Sequence, residues 1–211
     1  SPCIDAGDPN DDFSNEPGDN GGRINIGSLG NTSFATQVNP LVHQVLSGSS
    51  ITFLGNYFFK ANSEWNMNNS ANVSANAQLI INPGVKLNFN SAATLLVKGA
   101  LNAQGLENNK ITFDRIGSSG TWGNLSFKFP TSSNSILDNV EVKTGSGIMC
   151  SLSANVTIKN SIIDHCTEGV LVNTHASLTM SYCDVNYAQI GIKAENGGSV
   201  NISNINLNNC A

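Results

Sequence analysis

The chain has 211 residues, of which only 12% are charged, and a formal net charge of −5. Ten Lys and Arg with no basic cluster exclude a phosphate-binding surface, because affinity for nucleic acid comes from clustered cations. No run approaches the roughly 18 apolar residues needed to cross a bilayer, and no stretch reads as a signal peptide.

Residues 1–35 are rich in Gly, Pro, Asn and Asp, a density that means turns rather than helix. They carry much of the acidity: Asp5, Asp8, Asp11, Asp12, Glu16 and Asp19. Carboxylates on turns suit the hard Ca²⁺ ion, so these six side chains are the metal candidates, with a solvated acidic loop as the alternative. The spacing matches neither an EF-hand loop nor the Gly-rich calcium repeat. Residues 36–56 read as a connection with one apolar run, Ile51-Thr52-Phe53-Leu54.

From Tyr57 to residue 211 short β-prone runs recur. Val85, Leu87 and Phe89 alternate with polar residues, the period of two of a strand with one buried face. Leu79, Leu95 and Ile111 recur at an equal and rather short interval, which predicts tight early turns. Later the interval lengthens to about 22 residues, the scale of a solenoid repeat. At that interval Val156, Leu178 and Val200 align, as do Ile163, Val185 and Leu207, and Ile148, Val170 and Ile192. Each run is too short to bury a face alone, and stacking unit on unit solves that problem. The fold class predicted is all-β, a right-handed parallel β-helix of about 16–22 residues per turn. Asn139, Asn160 and Asn204 share a repeat position with Tyr182, and Asn tolerates the left-handed backbone of a sharp bend. Stopping in mid-repeat at Ala211 predicts more chain or a partner beyond it.

Of five cysteines, Cys166 and Cys210 share a repeat position two turns apart with Ala188 between them. Two turns are roughly 10 Å, beyond disulfide reach, so the thiols are expected as small interior fillers. Metal spacing of the Cys/His type is absent from the sequence.

Lys60-Ala61-Asn62-Ser63, Leu79-Ile80-Ile81-Asn82-Pro83-Gly84-Val85-Lys86-Leu87-Asn88-Phe89 and Leu95-Leu96-Val97-Lys98-Gly99-Ala100-Leu101-Asn102-Ala103-Gln104-Gly105 resemble bacterial secreted β-helix proteins of the pectate-lyase-like fold. Trp122-Gly123-Asn124-Leu125 continues the likeness, which covers roughly residues 57–211. Ser1-Pro2-Cys3-Ile4-Asp5-Ala6-Gly7-Asp8-Pro9 and Gly21-Gly22-Arg23-Ile24-Asn25-Ile26-Gly27 look like the closing motif of a preceding β-helix. The resemblance implies a large secreted or cell-surface protein, with solenoids in tandem.

Catalytic candidates are few. Asp164-His165 is the one acid beside a histidine in the repeat, and Lys143 precedes Asp164 by a single turn. A lyase of this fold needs a Lys or Arg base near carboxylates, so Lys143, Asp164 and His165 are the weak catalytic set, and a surface ion pair is the competing reading. Trp122, Tyr182 and Tyr187 are the ligand-binding candidates, able to stack on sugar rings if they point outward, while Trp122 beside Gly123 fits a core or bend position at least as well. The function expected is a non-catalytic rod, adhesin or extracellular structural component, secreted or on the bacterial surface, in contact with polysaccharide or with surface and secretion-system proteins. The alternatives are a carbohydrate-active lyase or hydrolase or a polysaccharide-binding module, or a substrate or component of a secretion or surface assembly. No cofactor is required beyond possible Ca²⁺.

Overall fold

The computed structural model describes residues 43–46, 51–132 and 134–210, all in the unit that begins at His43. The segment carrying Asp5, Asp8, Asp11, Asp12, Glu16 and Asp19 lies outside the described residues, and so does the closing motif of the resemblance.

The described residues form β1 (His43–Leu46), β2 (Ile51–Phe53), β3 (Asn56–Phe59), β4 (Glu64–Met67), β5 (Ala71–Val73), β6 (Gln78–Ile81) and β7 (Lys86–Phe89). Then come β8 (Leu95–Val97), β9 (Ala100–Gln104), β10 (Ile111–Arg115), β11 (Trp122–Lys128), β12 (Ser135–Asp138), β13 (Val140–Lys143) and β14 (Gly145–Ser151). β15 (Asn155–Lys159), β16 (Ile162–Asp164), β17 (Glu168–Val172), β18 (Ser177–Asn186), β19 (Ile190–Ala194) and β20 (Ser199–Asn208) complete them. Successive strands do not pair with each other. Each pairs in parallel with the strand one coil on, which makes the chain a β-solenoid of about seven turns.

The solenoid has three faces. β3, β6, β9, β12, β15 and the first halves of β18 and β20 make the first. β1, β4, β7, β10, β13, β16 and the second halves of β18 and β20 make the second. The third is the seven-stranded sheet β2, β5, β8, β11, β14, β17, β19.

Alternation along each strand sends one set of side chains inward, where they stack in lanes. On the first face Phe59, Ile81, Ala103, Leu137, Ile158, Met180 and Ile202 follow one another in register. On the second the lane is Trp65, Leu87, Phe113, Val142, Ile163, Val185 and Leu207. Most of these side chains are fully buried, each contributing about 1.5–3 kcal/mol of transfer free energy. In the last coil the lanes open: Ile202 and Leu207 are each 53% exposed. Ser135 breaks into the first face's interior, and its hydroxyl accepts the Leu101 N–H at 3.0 Å, which keeps both groups satisfied.

Corners are where the repeat is tightest. Asn139, Asn160, Tyr182 and Asn204 turn the chain from the first face to the second with φ between 51° and 53°. Thr144, His165 and Tyr187 turn it onto the third face, with φ between 51° and 55°, and Asn209 takes the same backbone at φ 54°. One left-handed residue redirects the strand enough to close a triangular coil. Its backbone stays satisfied, since the N–H of Asn160 donates to the Ser181 carbonyl at 3.1 Å and that of His165 to Asn186 at 3.0 Å.

Two expectations change. The equal spacing of Leu79, Leu95 and Ile111 is not a short turn, because these residues sit on three different faces, two strands apart in sequence. Leu79 stacks on Leu101 across the same interval that separates Leu178 from Val200, so the early coils have the late period. The long coil is the central one. There Ala103 pairs with Leu137, and Leu101 meets Ser135 across 34 residues. The solenoid also starts before Tyr57, since β1 and β2 pair with β4 and β5 inside the segment read as a connection. The interior thiols are as expected: Cys150, Cys166 and Cys183 are buried, and Ala188 is buried at the position Cys166 occupies one coil earlier.

Candidate functional site

Among the catalytic candidates, Lys143 and Asp164 are in register on adjacent strands of the second face. Their side chains nevertheless part. The Lys143 ammonium pairs with Glu141 on its own strand at 2.6 Å, and Asp164 takes His165 Nδ1 at 2.9 Å. The His165 ring lies against Tyr187, with centroids 4.6 Å apart and 26° between planes. These rings occupy consecutive second-corner positions, so the stack follows from the coil spacing. The second corner is thus an internally paired column in which Lys143 meets Glu141 and His165 meets Asp164, in place of the expected Lys143–Asp164 pair.

Trp122 is removed as a sugar platform. It is fully buried, stacked on Phe89 with centroids 4.6 Å apart, and its indole N–H donates to the Lys143 carbonyl at 2.6 Å. A strand that starts with an inward position aims this side chain into the core. Tyr182 and Tyr187 do point outward, at 65% and 55% exposure.

Tyr182 belongs to a polar groove. Its volume is about 500 Å³, and Glu107, Lys110, Asn139, Asn160, Ser161, Ile162, Tyr182 and Asp184 line it. The floor is the first corner itself, where Asn139, Asn160 and Tyr182 lie one coil apart. The wall is the loop between β9 and β10, folded back on itself by paired backbone hydrogen bonds between Leu106 and Asn109. This loop is seated on the corner below by the Gly105 N–H, which donates to the Asp138 carbonyl at 2.8 Å.

Asp138 organises the floor. Its carboxylate accepts the side-chain N–H groups of Asn160 at 2.8 Å and Asn139 at 3.1 Å, and pairs with Lys159 at 3.1 Å. Each amide is thereby oriented by one N–H held on Asp138, leaving a second N–H and a carbonyl oxygen as donor and acceptor. Asp184 accepts from Asn206 at 2.7 Å, and the Lys110 ammonium donates to the Glu107 backbone carbonyl at 2.8 Å. A second concavity of about 310 Å³ lies among Phe53, Tyr57, Phe58, Phe59, Trp65 and Leu79 in the first coils and is apolar.

No protein-family model, curated protein or solved structure matches the chain. The likeness to bacterial β-helix proteins therefore stands on the sequence motifs alone, while the parallel solenoid stands on the structure.

The buried thiols are poor nucleophiles. Burial pushes Cys150 up to about 12 and Cys166 to about 11, the latter against opposing backbone hydrogen bonds from Gly145 and Asp164. Lys193 is raised by its hydrogen bond and ion pair with Glu195. Among the described residues no group of three or more His, Cys, Asp or Glu side chains is placed to hold a metal.

Sequence reasoning found Tyr182 and missed Glu107, Lys110 and Asp184. The first two sit in the insertion of the longest coil, and its length is recognisable only once Ala103 is known to pair with Leu137. Asp184 aligns with Ile162 and Asn206, so the repeat itself gave it no chemical weight.

Proposed function

We propose that this chain is a non-catalytic stretch of a secreted or surface-anchored β-helix protein, serving as a rigid rod or adhesive spacer. The observation that carries this reading is the internal pairing of its outer charges. Lys143 with Glu141, Lys159 with Asp138 and Lys193 with Glu195 each neutralise a neighbour on the same face, and Asp164 is held by the His165 imidazole. Amide ladders add to them along the axis: Asn208 donates to Asn186 at 2.8 Å and Asn88 to Asn66 at 3.2 Å, each across 22 residues. Such pairs are individually weak but repeat with the coil, which suits a stiff, evenly stabilised stack.

The test is incubation of the chain with polygalacturonate and alginate, reading unsaturated uronate by ultraviolet absorbance. No release above a protein-free control is expected. Release that disappears in Lys143→Ala would replace the rod with a lyase.

A second reading, a glycoside hydrolase, has one specific observation behind it. Glu107 and Asp184 line the same groove, and two carboxylates are what glycoside hydrolysis requires. Reducing-end assays on neutral glycans, with Asp184→Asn as control, distinguish it. Calcium binding by the acidic segment of residues 1–35 is a separate proposal. A rise in melting temperature on adding Ca²⁺, lost in Asp8→Asn, supports it, and an unchanged melting curve removes it.

A further inference from the structure

Three of the four residues at the first corner of the late coils are asparagine, the residue that best tolerates a left-handed backbone after glycine. The fourth, Tyr182, adopts the same conformation at φ 53°. A bulky side chain there is strained, and at 65% exposure Tyr182 recovers little by burial. Asparagine in the coils on either side shows that the fold accepts a better residue at this position. Tyr187 takes the same backbone at the second corner but stacks its ring on His165, whereas Tyr182 has no ring partner among the described residues, and this contrast points to use of the Tyr182 side chain.

The surroundings say what that use is. Tyr182 lines the groove together with Glu107, Lys110 and Asp184. Asn139 and Asn160 line it as well, and each donates a side-chain N–H to Asp138. The groove is therefore rich in acceptors and carries two carboxylates against one ammonium. From Asn139 to Tyr182 is two coil spacings, roughly 10 Å, the reach of about two pyranose rings.

We propose that this groove is a binding subsite for a neutral saccharide chain, with Tyr182 as the stacking platform. Sugar hydroxyls donate to Glu107, Asp184 and the asparagine carbonyls, while the phenol ring covers the apolar face of one ring. Like-charge repulsion from Glu107 and Asp184 excludes polyuronates. This assignment rests on the extracellular reading above and gives the rod a ligand class.

The test is calorimetric titration of the whole chain with cello-, manno-, xylo- and galacto-oligosaccharides, and with polygalacturonate. One neutral series is expected to bind and polygalacturonate is not. Tyr182→Asn is expected to weaken binding about tenfold, equivalent to about 1.4 kcal/mol, while its melting temperature stays level or rises, because asparagine relieves the corner. Tyr182→Phe keeps most of the affinity. Glu107→Lys weakens discrimination against polygalacturonate. Failure of every neutral series to bind, tighter binding of polygalacturonate, or unchanged binding by Tyr182→Asn would overturn the subsite. A drop in melting temperature for Tyr182→Asn with binding intact would also overturn it, by making the tyrosine a packing residue. Tyr182-dependent release of sugar products would support the subsite while overturning the non-catalytic rod, so the two readings fail separately.

Discussion

The central coil and the coils that follow it solve the same problem at different levels of economy. From Leu137 onward the first-face lane advances through Ile158, Met180 and Ile202 at nearly constant intervals, and single left-handed residues turn the first two corners. Between Ala103 and Leu137 the advance is about half as long again, with the added length in the corners. It goes into the loop after β9, the glycine-rich loop after β10, and the short 3₁₀ turn Pro130–Ser132 after β11. Yet the inward lanes run through both regions without a break. Phe113 stacks between Leu87 and Val142, although its coil is the expanded one. The faces are thus constrained by side-chain register, while the corners take whatever length the surface can use. The loop that walls the polar groove of the first corner is one of these insertions.

If that contrast holds, glycine substitutions should separate the two regions most sharply. A Cβ on Gly147, at φ 96°, would collide with the Glu168 carbonyl oxygen of the next coil. Gly147→Ala is expected to destabilise the chain by more than about 4 kcal/mol, the range reserved for severe backbone conflicts. Gly117, in the loop after β10, has φ 77° and nothing within 4 Å of its would-be Cβ. Gly117→Ala should lose only about 1 kcal/mol, from the left-handed backbone alone. Urea midpoints decide it, and equal losses would mean that loop and coil are equally constrained.

Next in size is the core of the expanded coil. Trp122→Ala removes the ring stacked on Phe89 and orphans the Lys143 carbonyl, for an expected loss of about 3–5 kcal/mol. A loss below about 1 kcal/mol would show that the insertion loosens the interior as well as the corners. At a tight corner, Asn160→Ala should lose about 1–2 kcal/mol, from both the left-handed backbone and the hydrogen bond to Asp138. Asn160→Gly should restore the backbone share, and if it does no better than alanine the corner argument is wrong.

The last effect is confined to alkaline solution. Cys166 has a reference value of 9.0 and a buried value of about 11. Below 9.0 the thiol is protonated in both states and contributes no pH dependence. Between the two values the unfolded thiol ionises and the buried one does not, so the unfolded state gains and stability falls as pH rises. The slope is about 1.4 kcal/mol per pH unit for each such thiol, and Cys166→Ala should reduce it by that amount. Denaturant midpoints measured across that window provide the check.

How much of this was legible in the sequence follows from the kind of interaction each residue makes. The lanes of Val156, Leu178 and Val200 and of Ile163, Val185 and Leu207 were readable, because stacking in register forces the same residue class at a fixed interval. The corner asparagines were readable for a similar reason, since few side chains accept that backbone. The spacing of Leu79, Leu95 and Ile111 misled because an interval of two strands looks like a period when three faces share one composition. Trp122 stayed open between core and surface because inward and outward positions at a strand's start look alike until its register with Gly145 is known.

Local alternation, repeated along the chain, was enough to specify the parallel solenoid, the period of its late coils and its interior thiols. It took the folded chain to show that Lys143 turns to Glu141 instead of Asp164. Folding likewise brings Glu107 and Lys110 into one groove with Tyr182 and Asp184. Which outer side chains meet depends on loop length and coil order, and a repeat pattern records neither.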